Sequence, residues 1–378
     1  MSPPDADAVE ARIRAFRKPR RRTGGVWGTG LHLLSLAAFL ATWGLLAVSA
    51  WLTPLPFPAL VILTFLPHAA AALIALTFTA WLLTPDHPAA PWLLAAAVAW
   101  PLGHWGPVWA GQPAADQGDP VHVVSWNVRR LWGGEADGGD PFQCVVDAMR
   151  AWPQDVVFFQ EVTQKDADRL AAALALTCAH APYLGGDAGA EGVATCVGEG
   201  WALQEPTARP YRDGGSWHYL DATAARGSQR VHLLSVHLRP PHRVLHDPYN
   251  DFTDLSRKLA DGGAIQGAQA AAIAARVGEL STPVILAGDF NSARDVPWHR
   301  PLRAQLQDAY EVGARGMAGT VRLFSRFPAR IDFIYASPSL PVRTAAVHPS
   351  GCSDHHPVTA ELRYLSTSGL PSPRRRVQ

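Results

Sequence analysis

Two regimes of hydrophobic patterning divide this chain of 378 residues. From Thr23 to Pro85 there is no Asp, Glu, Lys or Arg, and after Asp86 and His87 the stretch from Pro88 to Ala115 again lacks all four. About 20 apolar residues span the hydrocarbon core of a bilayer, and a charge at its centre is costly, so runs of this kind predict membrane-crossing helices. Pro54, Pro56 and Pro58 cut the first run in two. The pattern predicts an all-α transmembrane region over 24–110 with about three spans, near 31–52, 59–83 and 89–109; Pro101, Gly103 and His104 interrupt the third. Trp27, Trp51, Trp81, Trp92, Trp105 and Trp109 fall near the proposed ends, where indole rings favour the interface. A soluble helical domain would carry charged faces, and a cleaved signal peptide would be shorter and have no spans after it. His32, His68 and His104 are read as interfacial and given no function.

Beyond a linker at 111–120 (GQPAADQGDP) the pattern changes to short apolar runs separated by turns. Val121–Val128, Asp155–Val162, Val231–Leu238, Val284–Phe290 and Arg330–Tyr335 have strand length and the composition of strands buried on both faces. Phe142–Ala151, Lys165–Leu176 and Ala264–Leu280 read as helices, the last with Ile265, Ala272, Ile273, Val277 and Leu280 on one stripe. Alternating strands and helices imply an α/β or mixed sheet core, and the segment 121–365 is long enough to bury one. Residues 366–378, with Pro371, Pro373 and Arg374–Arg376, read as a disordered basic tail.

Charge orients the chain. Seven basic and no acidic residues lie between Arg12 and Arg22, which assigns 1–23 to a cytoplasmic tail. An odd number of spans then puts everything after Asp116 outside the cytoplasm. Four cysteines, Cys144, Cys178, Cys196 and Cys352, show no CxxC or Cys/His zinc spacing. Cys178 and Cys196 face each other if the hairpin around Asp187 has symmetric register. Two buried thiols is the simpler expectation, and an oxidised pair the alternative in an exported domain.

Polar residues stand at the ends of the apolar strands. Asn127 ends the first, Glu161 the second and His237 the third; Asp289 and Asn291 end the fourth, in GDFN. Asp332 sits in RIDFIY, and Asp354 and His355 lie in SDHHP before the run Pro357–Leu362. A carboxylate beside a buried strand is costly unless paired or bound to a metal. Eight polar residues so placed are hard to explain as structure alone. Hard oxygen donors suit Mg²⁺ or Mn²⁺, and histidines beside carboxylates suit proton transfer and phosphoryl charge. The chain has no Walker loop, GxSxG elbow or HExxH motif, so hydrolysis without a covalent enzyme intermediate is the simplest chemistry.

The order WN, QE, HL, GDFN, RIDFI and SDHHP resembles the endonuclease/exonuclease/phosphatase (DNase I-like) superfamily over about 121–362, as a membrane-anchored, bacterial-type member. The resemblance implies an α+β fold, a two-sheet β-sandwich flanked by helices. It implies Mg²⁺ held by Glu161, with Asn127 and Asp354 near the same metal. Asp289 would orient or deprotonate water, Asn291 would hold a phosphate oxygen, and His355, polarised by Asp332, would contact the phosphate. His237 matches the histidine that family nucleases use as a general acid, but no carboxylate partner for it is evident, and His356 is the less central neighbour. The stretch Pro240–Lys258 reads as a surface loop, with His242, Arg243, His246, Arg257 and Lys258 as candidate headgroup contacts.

From Pro120 to Leu365 there are 23 Lys and Arg against 26 Asp and Glu. This mildly acidic balance weighs against a grip on long duplex DNA. The expected enzyme is therefore a Mg²⁺-dependent phosphoesterase of the bacterial cell membrane. Its partners would be the lipid bilayer and a phosphorylated substrate, a lipid phosphate or phosphodiester, with no obligate protein partner inferred. An extracytoplasmic nuclease and a non-catalytic receptor are the alternatives.

Overall fold

The computed structural model describes residues 117–131, 140–183, 190–211, 217–240, 252–294, 296–315, 319–323 and 327–365. The basic N-terminal tail, the three expected spans, most of the linker and the C-terminal tail lie outside them. Among the described residues no helix is long and apolar enough to cross a membrane.

The chain order is β1 (Asp119–Asn127), α1 (Pro141–Met149), β2 (Val156–Val162), α2 (Gln164–Leu174), β3 (Thr177–Pro182), β4 (Gly192–Val197), β5 (Ala202–Pro210), β6 (His218–Arg226) and β7 (Gln229–His237). It continues with α3 (Phe252–Glu279), β8 (Val284–Asp289), α4 (Arg300–Arg303), β9 (Gln307–Asp308), α5 (Ala309–Gly313) and β10 (Val321–Leu323). β11 (Phe327–Ala329), β12 (Asp332–Ala336), β13 (Val342–Val347) and β14 (Val358–Tyr364) complete it. Two six-stranded sheets form, ordered β13-β14-β1-β2-β4-β3 and β5-β6-β7-β8-β12-β9, with β10-β11 a separate hairpin. β1 with β2 and β7 with β8 are parallel; the other pairs are antiparallel.

Three apolar layers hold the sandwich. Val121, Val123, Val156 and Phe158 of the first sheet meet Val231, Leu233, Ile285, Ala287 and Ile334 of the second. On the outer face of the first sheet, Val124, Trp126, Val157 and Phe159 pack with Val145, Met149 and Leu170 of α1 and α2. On the outer face of the second, Leu234, Val236, Leu286 and Phe333 pack with Ala270, Ile273 and Val277 of α3. The alternating face of each strand thus feeds two layers, which is why these strands read as apolar throughout. Local signals set the helix starts: Asp140 accepts from Phe142 N with Pro141 at the first turn, and Thr163 caps α2 by accepting from Asp166 N. Gly288 has φ +147°, and a Cβ there would overlap the Val236 carbonyl, so the close approach of β7 to β8 needs glycine.

Two sequence expectations change. Residues 252–258, read as loop, form the first turns of α3. A helix that begins inside a polar, charged stretch leaves no apolar period to mark its start. The thiols are also not free: Cys178 is bonded to Cys196, and Cys144 to Cys352. Cys178 and Cys196 are directly opposed in the β3–β4 register. Cys144 and Cys352 are 208 positions apart, and their bond joins α1 to the segment carrying Asp354 and His355.

By loop-closure entropy, a bridge over 208 positions should stabilise about 2 kcal/mol more than one over 18. The C144S/C352S double variant should therefore melt earlier than C178S/C196S under the same conditions. Equal melting temperatures would contradict it.

Candidate active site

The site lies where the inner faces of both sheets run past their apolar layer. Side chains alternate along a strand, so the face that carries Val121 and Val123 in β1 next carries Ser125 and Asn127. The same parity takes Phe158 to Gln160 in β2, Leu233 to Ser235 and His237 in β7, and Ala287 to Asp289 in β8. In β12 it takes Ile334 back to Asp332. Ser125, Gln160, Ser235, Asn127, His237, Asp289 and Asp332 are all buried. Cross-strand register aligns the last layer, with His237 beside Asp289 and Asp289 beside Asp332.

Glu161 breaks this alternation. The β2–β4 register shifts between Gln160 and Val162, and Glu161 has φ +56°. A left-handed non-glycine residue at a bulge is strained, and it re-aims the side chain. The Glu161 carboxylate is 27% exposed, whereas that of Asp289 is 2% exposed. Asn127 Nδ2 donates to Glu161 Oε1 (3.0 Å) and to Asp289 Oδ2 (3.1 Å). Its Oδ1 accepts from Arg129 N at 3.0 Å. Asn127 thus presents a donor to both carboxylates, where the sequence reading had it offering oxygen to a metal.

Asp289 Oδ1 accepts from Asn291 N at 2.7 Å, and Asn291, at φ +49°, donates from Nδ2 to Leu238 O at 2.9 Å. His355 Nδ1 lies 2.9 and 3.1 Å from the two oxygens of Asp332, and its Nε2 lies 3.8 Å from Asp289 Oδ2. His237 Nε2 is 3.5 Å from Asp289 Oδ2 and 4.0 Å from Glu161 Oε1. Seven of the eight expected residues are therefore linked around Asp289. Asp354 stands at the rim: its side chain is 46% exposed and 3.5 Å from the Arg129 guanidinium. His356 Nδ1 accepts from Ser350 N at 3.1 Å.

Charge is crowded here. Burial, then the neighbouring Asp332, pushes the Asp289 carboxyl up to about 8, against the pull of His355. Burial opposes the charged form of His355, but Asp332 and Asp289 outweigh it and raise that imidazole to about 10. Asp289, Asp332 and His355 have ligating atoms within 4.8 Å of one another. Both Asp332 oxygens, however, already face His355 Nδ1. That group is a carboxylate–imidazolium pair with Nε2 turned inward. The part-exposed Glu161 oxygens beside a high-pKa Asp289 are the better hard donors for a divalent cation.

Residues to which the sequence assigned no role complete the site. Ser353 Oγ donates to Asn127 O (2.8 Å) and accepts from His355 N (3.2 Å), tying the SDHHP segment to β1. Trp126 Nε1 donates to His355 O at 3.0 Å. Gln266 of α3 donates to Phe290 O (2.9 Å) and Asn291 O (3.1 Å), and His299 bridges Ser292 and Tyr335 behind them. Tyr183 touches both Glu161 and His237.

Residues 124–355 match the endonuclease/exonuclease/phosphatase family. The chain belongs to that family. It is a metal-dependent hydrolase of phosphoric ester bonds. Solved structures share the fold. An endonuclease/exonuclease/phosphatase from Bacteroides vulgatus is 18% identical with a TM-score of 0.52, covering 65% of this chain and 99% of its own. A family protein from Bacteroides thetaiotaomicron is 16% identical with a TM-score of 0.50, covering 66% and 96%. A humanized D. rerio TDP2 is 17% identical with a TM-score of 0.50, covering 65% and 99%. No curated protein matches the chain in sequence.

Proposed function

We propose that this family member is a membrane-anchored, Mg²⁺-dependent phosphoesterase whose catalytic domain faces away from the cytoplasm. Its substrate would be a lipid phosphate or phosphodiester at the bilayer. The observation that carries the chemistry is the convergence of Glu161, Asp289, His237 and the Asp332–His355 pair on one end of the sandwich. The charge-free runs before Asp116 and the mildly acidic domain support the lipid substrate. Two disulfides support an oxidising compartment.

Glu161 would hold the cation, with Asp354 near it at the rim. Bound there, Mg²⁺ supplies positive charge against the phosphate oxygens. In its ionised form, reached as pH rises through about 8, Asp289 accepts a proton from the attacking water, and Asn127 and the Asn291 N–H keep its carboxylate oriented. Asn291, beside it, would hold a phosphate oxygen. His355, held cationic by Asp332, stabilises negative charge on the phosphoryl group through Nε2. His237 addresses the departing oxygen from the other side of Asp289.

The full-length protein in detergent should hydrolyse bis(p-nitrophenyl) phosphate and a lipid phosphate with Mg²⁺. EDTA should remove at least about 99% of the rate, and Mg²⁺ should restore it. Preference for plasmid DNA over every lipid would replace the lipid reading with a nuclease. No hydrolysis of any phosphoester would overturn the assignment.

A further inference from the structure

His237 has a phenol where the sequence offered no carboxylate. The Tyr183 hydroxyl oxygen accepts the backbone N–H of Glu161 at 2.9 Å. Its single proton then points to the other neighbour, His237 Nδ1, at 2.5 Å. An imidazole that accepts at Nδ1 keeps its own proton on Nε2. That nitrogen faces the reacting end, 3.5 Å from Asp289 Oδ2 and 4.0 Å from Glu161 Oε1. Trp217 restrains both rings: it stacks on Tyr183 with centroids 4.7 Å apart and meets His237 edge-on at 5.7 Å. Tyr183 and His237 are themselves edge-on at 5.0 Å. Both His237 and Tyr183 are almost wholly buried, so thermal swapping of partners is restricted.

The partner matters to the chemistry. A carboxylate at Nδ1 steadies an imidazolium, the form that gives up a proton. A neutral phenol that donates to Nδ1 favours the neutral ring. We infer that Tyr183 is a positioning residue that fixes His237 as a neutral Nε2–H donor; it hydrogen-bonds the departing oxygen, which leaves with the electron pair of the broken P–O bond as an anion and takes its proton from solvent. The catalytic consequence rests on the phosphoesterase reading above; the tautomer does not.

The test uses full-length protein with ¹⁵N-labelled histidine. The His237 resonances are those missing from the H237Q spectrum. The expected wild-type pattern is an unprotonated Nδ1 and a protonated Nε2, and Tyr183→Phe should lose that fixed pattern. On bis(p-nitrophenyl) phosphate with Mg²⁺, the side-chain amide introduced by H237Q can copy a neutral Nε2–H donor but cannot act as an acid. H237Q should therefore stay within about tenfold of wild-type kcat, while H237A falls on the order of 10²-fold or more. Y183F should lower kcat several-fold with KM unchanged, since its target is a group that acts in the transition state. A wild-type spectrum with Nδ1 protonated, alone or together with Nε2, would overturn the inference. So would an H237Q rate as low as that of H237A. An enzyme inactive on every phosphoester but with the expected tautomer would overturn the functional reading and, with it, the role at the departing oxygen, while the tautomer fixed by Tyr183 would stand.

Discussion

Asp289→Asn is expected to lower kcat about 10³-fold or more and, in metal-free enzyme, to raise the melting temperature at pH 8. Both effects have one origin. Asp289 ends β8 on the inner face, almost fully buried, opposite Asp332 in register. Burial and that second carboxylate hold its folded pKa near 8, against an ordinary value of 3.8. Between these values the folded protein keeps a proton that the unfolded chain has released. The stability linked to Asp289 is therefore complete below about pH 4 and is lost as pH rises through about 8. Asparagine never ionises, so the variant's advantage should grow across that window. The amide replaces only one of two acceptors, those serving Asn127 Nδ2 and Asn291 N, at about 1 kcal/mol. That loss does not change with pH, so it leaves the trend intact. The same substitution removes the one carboxylate among the described residues that touches Asn127, His237 and Asn291 together, and with it the proposed acceptor for the water proton. Scanning calorimetry of EDTA-treated protein at pH 5 and pH 8, beside assays with Mg²⁺, checks both halves. A variant within tenfold of wild-type rate, or one whose melting advantage does not increase with pH, would refute the assignment.

Much of this site is readable in the primary structure because strand ends and polar residues coincide there. An apolar run that ends in Asn127, His237 or Asp289 states both the element and the direction in which its last side chain points. The sandwich itself is less readable: strands buried on both faces lose the two-residue period that would distinguish inner from outer faces. β5, by contrast, is largely exposed and has no strong apolar pattern, and it escapes notice for that reason. The partners that orient the site are hidden for a different reason. Tyr183 lies after a strand in an ordinary hairpin, Ser353 in a polar turn, and Gln266 on a helix face; each acts through hydrogen bonds that spacing cannot reveal. The bond between Cys144 and Cys352 links residues 208 apart, and only the fold brings them to a Cα separation of 5.6 Å.

Glu161 shows how local strain and site geometry are coupled. A regular β2 would turn its side chain to the face opposite Gln160, into the layer shared with α1 and α2. The bulge and the left-handed backbone instead leave it at the site, where Asn127 reaches it, and the Tyr183 hydroxyl accepts its N–H. The Glu161 backbone and the His237 ring thus meet the same phenol.

His355 and Asp332 should behave as one unit. His355→Ala is expected to lower kcat about 10³-fold and Asp332→Asn about 10²-fold, with the double variant no slower than His355→Ala alone. Asp332 places both oxygens against His355 Nδ1, and no other described side chain does so. Once the imidazole is gone, Asp332 has nothing left to polarise. The single Asp332 variant keeps an acceptor oxygen for Nδ1–H but loses the charge that, with Asp289, lifts His355 to about 10 over the opposing effect of burial. A cationic His355 therefore persists through neutral pH in wild type. In Asp332→Asn it should deprotonate earlier, and the alkaline limb of the kcat profile should move to lower pH. The stability linked to His355 has the matching sign: present below its ordinary value of 6.5 and lost as pH rises through about 10. Rates of the four proteins from pH 5 to pH 10 decide the matter. Multiplicative losses in the double variant would show that the two groups act separately, and an unmoved alkaline limb would remove His355 as the cation that meets the phosphate.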